Sequence, residues 1–301
     1  MEALHDQPKV TAVIPVFNNR DETLALLESM ANVTYANLAI TVVDDGSTDG
    51  SAQAITERFP WVVILTGDGN LWWSGATNMG VKDALEHATD FVLTINNDDV
   101  VDPGFIEPLV ESAVENPRSL VNSVILDYHD PSFITSFGGE IEWFAGEIRD
   151  RTSKRDNYEP GRLREGDFLT GNSTLVPAGA YREIGLYDQE NCPQYIGDAE
   201  FTLRARSRGF RLLLEPRSIV FNRSANSGGT SVLNRYGIAE LLTSIRSPFY
   251  FKANYKIYRD YCPYHPFALF LVIRYLRLIY SLFRRRFVDG TRRSVFRGET
   301  R

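Results

Sequence analysis

Four apolar runs in the first hundred residues each stop on a polar cluster, and that repetition constrains the fold more than any other feature. Val10–Val16 ends at Phe17-Asn18-Asn19, and Leu38–Val43 runs into Asp44-Asp45. Trp61–Leu65 leads to Asp68-Gly69-Asn70, and Phe91–Ile95 ends in Asn96-Asn97-Asp98-Asp99. Stretches with helical spacing separate them: Asp21–Met30, Ala52–Phe59 and Gly75–Ala88. Strands alternating with helices predict right-handed crossovers and a mostly parallel α/β sheet covered on both faces. All four polar clusters then fall at strand C-terminal ends, the ligand-binding edge of open parallel sheets. One cluster alone reads as a helix cap, since Asp, Ser and Thr accept bonds from free N–H groups at a helix start. Four at one edge point to a shared site.

Composition narrows the ligand. The chain has 301 residues, enough for a sizeable core, and its formal net charge of −7 argues against a nucleic-acid partner. Cys192 and Cys262 are far apart and lack metal-ligand spacing, which predicts free thiols in a reducing compartment. The opening MEALHDQPKV lacks the apolar core of a signal peptide, so a cytoplasmic location is expected. Neither GxxxxGK[ST] nor a GxGxxG after the first run is present. Carboxylates at strand ends repel phosphates unless a divalent cation lies between them, and Mg²⁺ commonly takes one or two carboxylates plus phosphate oxygens. The residues alone therefore point to a metal–diphosphate site.

Five segments in series, VTAVIPVFNN, VVDDGSTDGS, GNLWWSGATNMG, TINNDDV and IGDAEFTLRARSRGF, resemble the ordered motifs of family-2 glycosyltransferases with the nucleotide-sugar-binding GT-A fold. The resemblance covers about residues 8–225, a nucleotide-binding half (8–100) and an acceptor and catalytic half (101–225), followed by a helical segment over 226–301. It implies that Pro15 and Phe17 lie beside the nucleotide base and that Asp45 bonds the base, while Asp44 steadies the turn. Gly69, Asn70 and Asn78 match positions lining the nucleotide and its phosphates. Trp72 and Trp73 match a sugar-stacking place, although either also reads as core.

In INNDDV, Asp98 matches the last acid of the metal-binding motif, Asn96 replaces its first acid, and Asp99 is assigned to ribose or water. Asn222 stands where many relatives carry a histidine ligand. Mg²⁺ or Mn²⁺ is the implied cofactor. Asp198 matches the general base, with the capping of its own helix as the alternative role, and Gly171 and Asn172 match an acceptor-side loop. Glu200 and Arg204, four residues apart, read as an ion pair. One base without a covalent nucleophile implies inversion at the anomeric carbon. The segment TSFGGEIEWFAG resembles rhamnosyl- and galactofuranosyltransferases, and no QxxRW processivity mark is present. The implied partners are a nucleotide-diphosphate sugar and a surface-glycan or lipid-linked acceptor. A nucleotidyltransferase and a non-catalytic nucleotide-sugar scaffold are the alternatives.

In FALFLVIRYLRLIYSLFRRRF the apolar run Phe267–Ile273 is too short to span a bilayer. Helical spacing puts Arg274, Arg277, Ser281 and Arg284 or Arg285 on one face. The expectation is a helix lying in the interface with its arginines toward anionic lipid, which would make the protein peripheral on the membrane. Docking on its own domain or on a second subunit in a homo-oligomer is the alternative.

Overall fold

The computed structural model describes residues 7–155, 161–223 and 237–295, with side chains described as far as Arg284. Its first half follows the expected alternation: β1 (Val10–Val16), α1 (Arg20–Met30), β2 (Leu38–Asp44), α2 (Ser51–Arg58), β3 (Val63–Thr66), α3 (Trp72–Glu86) and β4 (Phe91–Thr94). These strands are parallel in the order β4-β1-β2-β3. β1 is buried almost throughout, as its β-branched run requires when helices cover both faces. Gly80 lets α3 lie close on the sheet, because a Cβ there would overlap Val13 and stand 3.1 Å from Val43 Cγ2.

Beyond β4 the sheet becomes mixed. The chain continues through β5 (Asp99–Val101), α4 (Ile106–Glu115) and β6 (Ser119–Asp127). Antiparallel strands follow in 127–165, where irregular or antiparallel structure is expected: β7 (Phe133–Ser136), β8 (Gly139–Glu142), β9 (Glu147–Asp150), β10 (Ser153–Lys154) and β11 (Arg164–Glu165). β12 (Thr174–Pro177) inserts between β4 and β6, antiparallel to both. Next come α5 (Ala178–Ile184), α6 (Gly197–Ser207) and β13 (Arg211–Asn222). β13 runs parallel to β6 with a register shift between Glu215 and Ile219, where Pro216 withholds a ladder donor.

Two starts differ from the expected boundaries. β3 begins at Val63 and α3 at Trp72, three residues before Gly75. The cause of the second is remote in sequence. Asp45 Oδ2 accepts the backbone N–H groups of Leu71 (2.9 Å) and Trp72 (3.1 Å), satisfying donors that a helix start leaves open.

Three C-terminal helices follow: α7 (Ile238–Thr243), α8 (Phe251–Tyr261) and α9 (Phe267–Val295). Ile257, Tyr258, Cys262, Phe270 and Leu271 join Phe168, Ala199 and Leu203 in one apolar cluster, so α8 and α9 pack onto the sheet domain beside α6. This corrects the expected orientation of α9. Arg274 is buried, donating from Nη1 to Gly146 O (3.0 Å) with its guanidinium over the Phe249 ring. Arg277 pairs with Glu147. The arginine at the heart of the polar face therefore points into protein, where a carbonyl and an aromatic ring receive its guanidinium while Nε is left without an acceptor. Arg285's side chain lies outside the described residues. Among the described residues no helix is long and apolar enough to cross a membrane.

Candidate active site

The four polar clusters do share one edge: each follows the C-terminal end of a parallel strand in register with its neighbours. Pro15 pairs with Val43 beyond the point where β4 leaves β1, at Thr94, so its missing N–H breaks no bond to β4. Phe17 is exposed at the end of β1.

The adjacent acids Asp44 and Asp45 both organise loops. Asp44 Oδ1 accepts the Ser47 N–H (2.8 Å) and closes its own turn. Asp45 Oδ1 accepts the Gly69 N–H (2.9 Å), while Oδ2 holds the start of α3. Gly69 takes φ +87°, a left-handed conformation natural to glycine. Asn70 is exposed and closes an Asx turn onto Asp68 Oδ1 (2.9 Å). A carboxylate has about four acceptor sites, so Asp45 keeps acceptor capacity after three bonds.

Asn78 is a correction. It is buried, and both its amide hydrogens bind protein: Tyr187 O and Gln189 Oε1, each at 2.9 Å. Its Oδ1 accepts the Tyr187 N–H (2.9 Å). It anchors the 187–189 loop, because α3 turns it inward there, and neither amide hydrogen is left for a ligand.

The two tryptophans divide between roles. Trp73 packs on the core against Tyr187 and donates from Nε1 to Asn96 Oδ1 (3.1 Å). Trp72 is half-buried, with the Arg246 guanidinium 5.1 Å from its ring centroid.

Trp73 opens a chain of contacts through the site. Its ring lies over Gly171, where a Cβ would collide with it and stand 3.2 Å from Asp198 Cβ. Gly171 N–H donates to Asp198 Oδ2 (2.8 Å), and Ala199 N–H donates to Oδ1 (2.8 Å). The next residue, Asn172, reaches the end of β4: its Oδ1 accepts the Asn96 N–H (3.3 Å) and its Nδ2 donates to Asp99 Oδ1 (3.2 Å). Asn222, on β13, donates to the same Asp99 oxygen (2.8 Å). Thus Trp73, Asn96, Asp99, Gly171, Asn172, Asp198 and Asn222 form one connected site.

Asp198 stands inside the first turn of α6, which begins one residue earlier, so it is not that helix's cap residue. Burial raises its pKa above the ordinary carboxylate value, opposed by the N–H groups of Gly171 and Ala199. The neighbouring Glu200–Arg204 pair forms as expected at 3.0 Å.

Asp99 is fully buried, and burial followed by the charge of Asp98 raises its pKa well above normal, against the pull of the Asn222 and Asn172 amides. Its Oδ2 is buried without a hydrogen-bond donor. An orphaned carboxyl oxygen beside a second acid suits a cation, whose charge would draw Asp99 back to its ionised form. Asn96 Oδ1 accepts the Trp73 indole N–H and, as an amide oxygen with two lone pairs, keeps a second acceptor site. The oxygens of Asp98, Asp99 and Asn222 complete the candidate donor set. Among the described residues no group of three or more His, Cys, Asp or Glu gathers in metal-ligand fashion.

One acid here has no motif to mark it. Asp150, the last residue of β9, retains solvent contact, yet surrounding protein and then the charge of Asp198 raise its pKa to about 7, with Ser136 Oγ 3.4 Å away. β9 reaches the site through β8, where Gly139 pairs with Asp150 and bridges to Phe168, three residues before Gly171.

A strand-end site of this kind on this mixed sheet defines the GT-A class of nucleotide-sugar-binding folds. Among solved structures, S. aureus TarS superposes with a TM-score of 0.52 at 16% identity, over 78% of this chain and 40% of that one. GalNAc-T7, crystallised with UDP, GalNAc and Mn²⁺, gives 0.59 at 14% identity, over 89% and 54%. In sequence, residues 11–169 match the glycosyl transferase family 2 profile. The chain belongs to glycosyl transferase family 2, and it is a glycosyltransferase. It is 26% identical over 222 residues to the N-acetylglucosaminyl-diphospho-decaprenol L-rhamnosyltransferase of Mycobacterium tuberculosis (strain ATCC 25618 / H37Rv), spanning 67% of this chain and 72% of that one.

Proposed function

We propose that the protein transfers a hexosyl or deoxyhexosyl unit, with inversion, from a nucleotide-diphosphate sugar to a hydroxyl of a lipid-linked or surface-glycan acceptor. The carrying observation is the Gly171–Asn172 loop. It fixes the Asp198 carboxylate through one residue and the metal-motif acid Asp99 through the next. A base for the acceptor and a seat for the donor's diphosphate are thereby held at a set spacing, which is what positioning contributes to transfer.

Asp198 takes the proton from the acceptor hydroxyl. The hydroxyl oxygen bonds to the anomeric carbon as that carbon's bond to the diphosphate breaks. Backbone N–H groups bind both Asp198 oxygens, so the base cannot swing away, and its raised pKa strengthens it as a proton acceptor. The site has one such base and no assigned nucleophile, which supports a single displacement. Asn96, Asp98, Asp99 and Asn222 would hold a Mg²⁺ or Mn²⁺ ion, and such an ion neutralises charge on a departing diphosphate. Phe17, Pro15 and the Asp45–Gly69–Asn70 corner form the donor base pocket in this reading, and Trp72 faces the sugar. The lipid-linked substrate named for the M. tuberculosis relative supports a polyprenyl-linked acceptor and work at the cytoplasmic membrane face.

The test is a panel of nucleotide sugars, deoxyhexose donors included, with wild type and Asp198→Asn. The variant should keep the donor-induced rise in melting temperature and lose about 10²–10⁴ in kcat. Full activity in the variant would refute the mechanism. Tight donor binding without turnover in the wild type, with Mn²⁺ present, would favour the non-catalytic scaffold.

A further inference from the structure

The last helix turns a continuous apolar stripe to solvent. Leu269, Val272, Leu276, Tyr280 and Phe283 are each between 52 and 68% exposed. Their spacing of three or four residues places them within roughly 80° of arc on a helix of 3.6 residues per turn. The opposite side is committed to the domain: Phe270, Leu271, Arg274 and Leu278 are buried. Arg277 and Arg284 border the stripe and are exposed. An apolar strip of this length on a monomer's surface marks an interaction site.

We propose that this outer stripe of α9 is a membrane-docking surface, lying in the interface of an anionic bilayer. Charge selects lipid as the occupant. The whole chain carries a net −7, yet from Arg284 to the C-terminus there are seven arginines against one aspartate and one glutamate. Basic residues beside an apolar helix face match acidic headgroups above acyl chains. The charge continues directly from the end of the stripe, since Arg284, Arg285 and Arg286 follow Phe283 in sequence. The stripe is the apolar side that helical spacing sets across from Arg274, and Arg274 itself is turned into the domain on Gly146 O. The inference rests on the proposed lipid-linked acceptor only for its purpose; the surface itself is read from exposure and charge.

The experiment is flotation of the full chain with vesicles of phosphatidylcholine alone or mixed with phosphatidylglycerol, without any sugar donor. The chain should float with the anionic vesicles and less so at high salt. Withdrawing each half-exposed apolar side chain from water is worth about tenfold in partitioning, so Leu276→Gln with Phe283→Gln should weaken it about a hundredfold. The variant's melting temperature and its transfer to a water-soluble acceptor should be unchanged. Failure to float with any vesicle overturns the proposal, as does equal flotation of the variant. A wild type that stays off vesicles and sediments as a dimer that the double variant splits also overturns it, in favour of a second copy as occupant. Flotation without transferase activity would sink the proposed function and leave this surface standing.

Discussion

Replacing Gly171 by alanine tests how tightly the site is assembled. The backbone at 171 is not left-handed, so alanine meets no conformational barrier and the cost is steric. Its Cβ would come within 3.0 Å of two Trp73 ring atoms, a separation real Cβ atoms do not adopt. Overpacking of this kind costs about 1–3 kcal/mol. Removing the obstacle should relieve that cost. With Trp73 already replaced by alanine, the clash with its ring is gone and a tight contact with Asp198 Cβ at 3.2 Å remains, so Gly→Ala should then cost less by about 1–3 kcal/mol. Urea denaturation of wild type, both single variants and the double variant closes the cycle, with an expected coupling of about 1–3 kcal/mol. In parallel, Gly171→Ala alone should lower kcat about a hundredfold by displacing the Asp198 carboxylate that the 171 N–H holds. An equal cost of Gly171→Ala in both backgrounds would refute the packing argument.

Three further outcomes follow from geometry elsewhere. Asp150 has a folded pKa of about 7 against 3.8 for the free carboxyl, so the folded state binds the extra proton. That contribution to stability is present at the acidic end and fades as pH rises through about 7; denaturation midpoints at several pH values should fall less steeply for Asp150→Asn than for wild type, and equal slopes would contradict the assignment. Asn78→Ala leaves the Tyr187 N–H and carbonyl without their amide partner and should cost about 2–4 kcal/mol by chemical denaturation, with donor affinity unchanged at temperatures where the variant is folded. Gly146→Ala combines a φ of +62° with a Cβ 2.7 Å from the Arg274 backbone, so it should destabilise the docking of α9 by about 2–3 kcal/mol, read as faster proteolysis of the C-terminal helices.

Much of the first half was legible from residue order because period-two and period-3.6 patterns are local. β1, β2 and β4 fall within a residue of the apolar runs, and the polar clusters do lie along one edge. What failed was decided by partners far away. Asp45 serves α3 from 26 residues upstream, and no local rule for capping looks that far. Asn78 sits in a motif rich in site residues but turns toward a loop more than a hundred residues on. Asp150 belongs to no pattern; its importance comes from the protein gathered around it. The place of Arg274 on α9 was misread for a related reason. Arginine is counted as a solvent-seeking residue, yet Arg274 finds a backbone carbonyl and an aromatic ring inside the molecule.

The hairpin of β8 and β9 has a mechanical consequence. At its turn Gly146 and Glu147 clasp Arg274 and Arg277 of the final helix, and at its other end Asp150 stands within electrostatic reach of Asp198. Four residues of extended chain, about 10 Å, separate those two attachments. Loosening the final helix should therefore also be felt at Asp150, through the same four residues of strand.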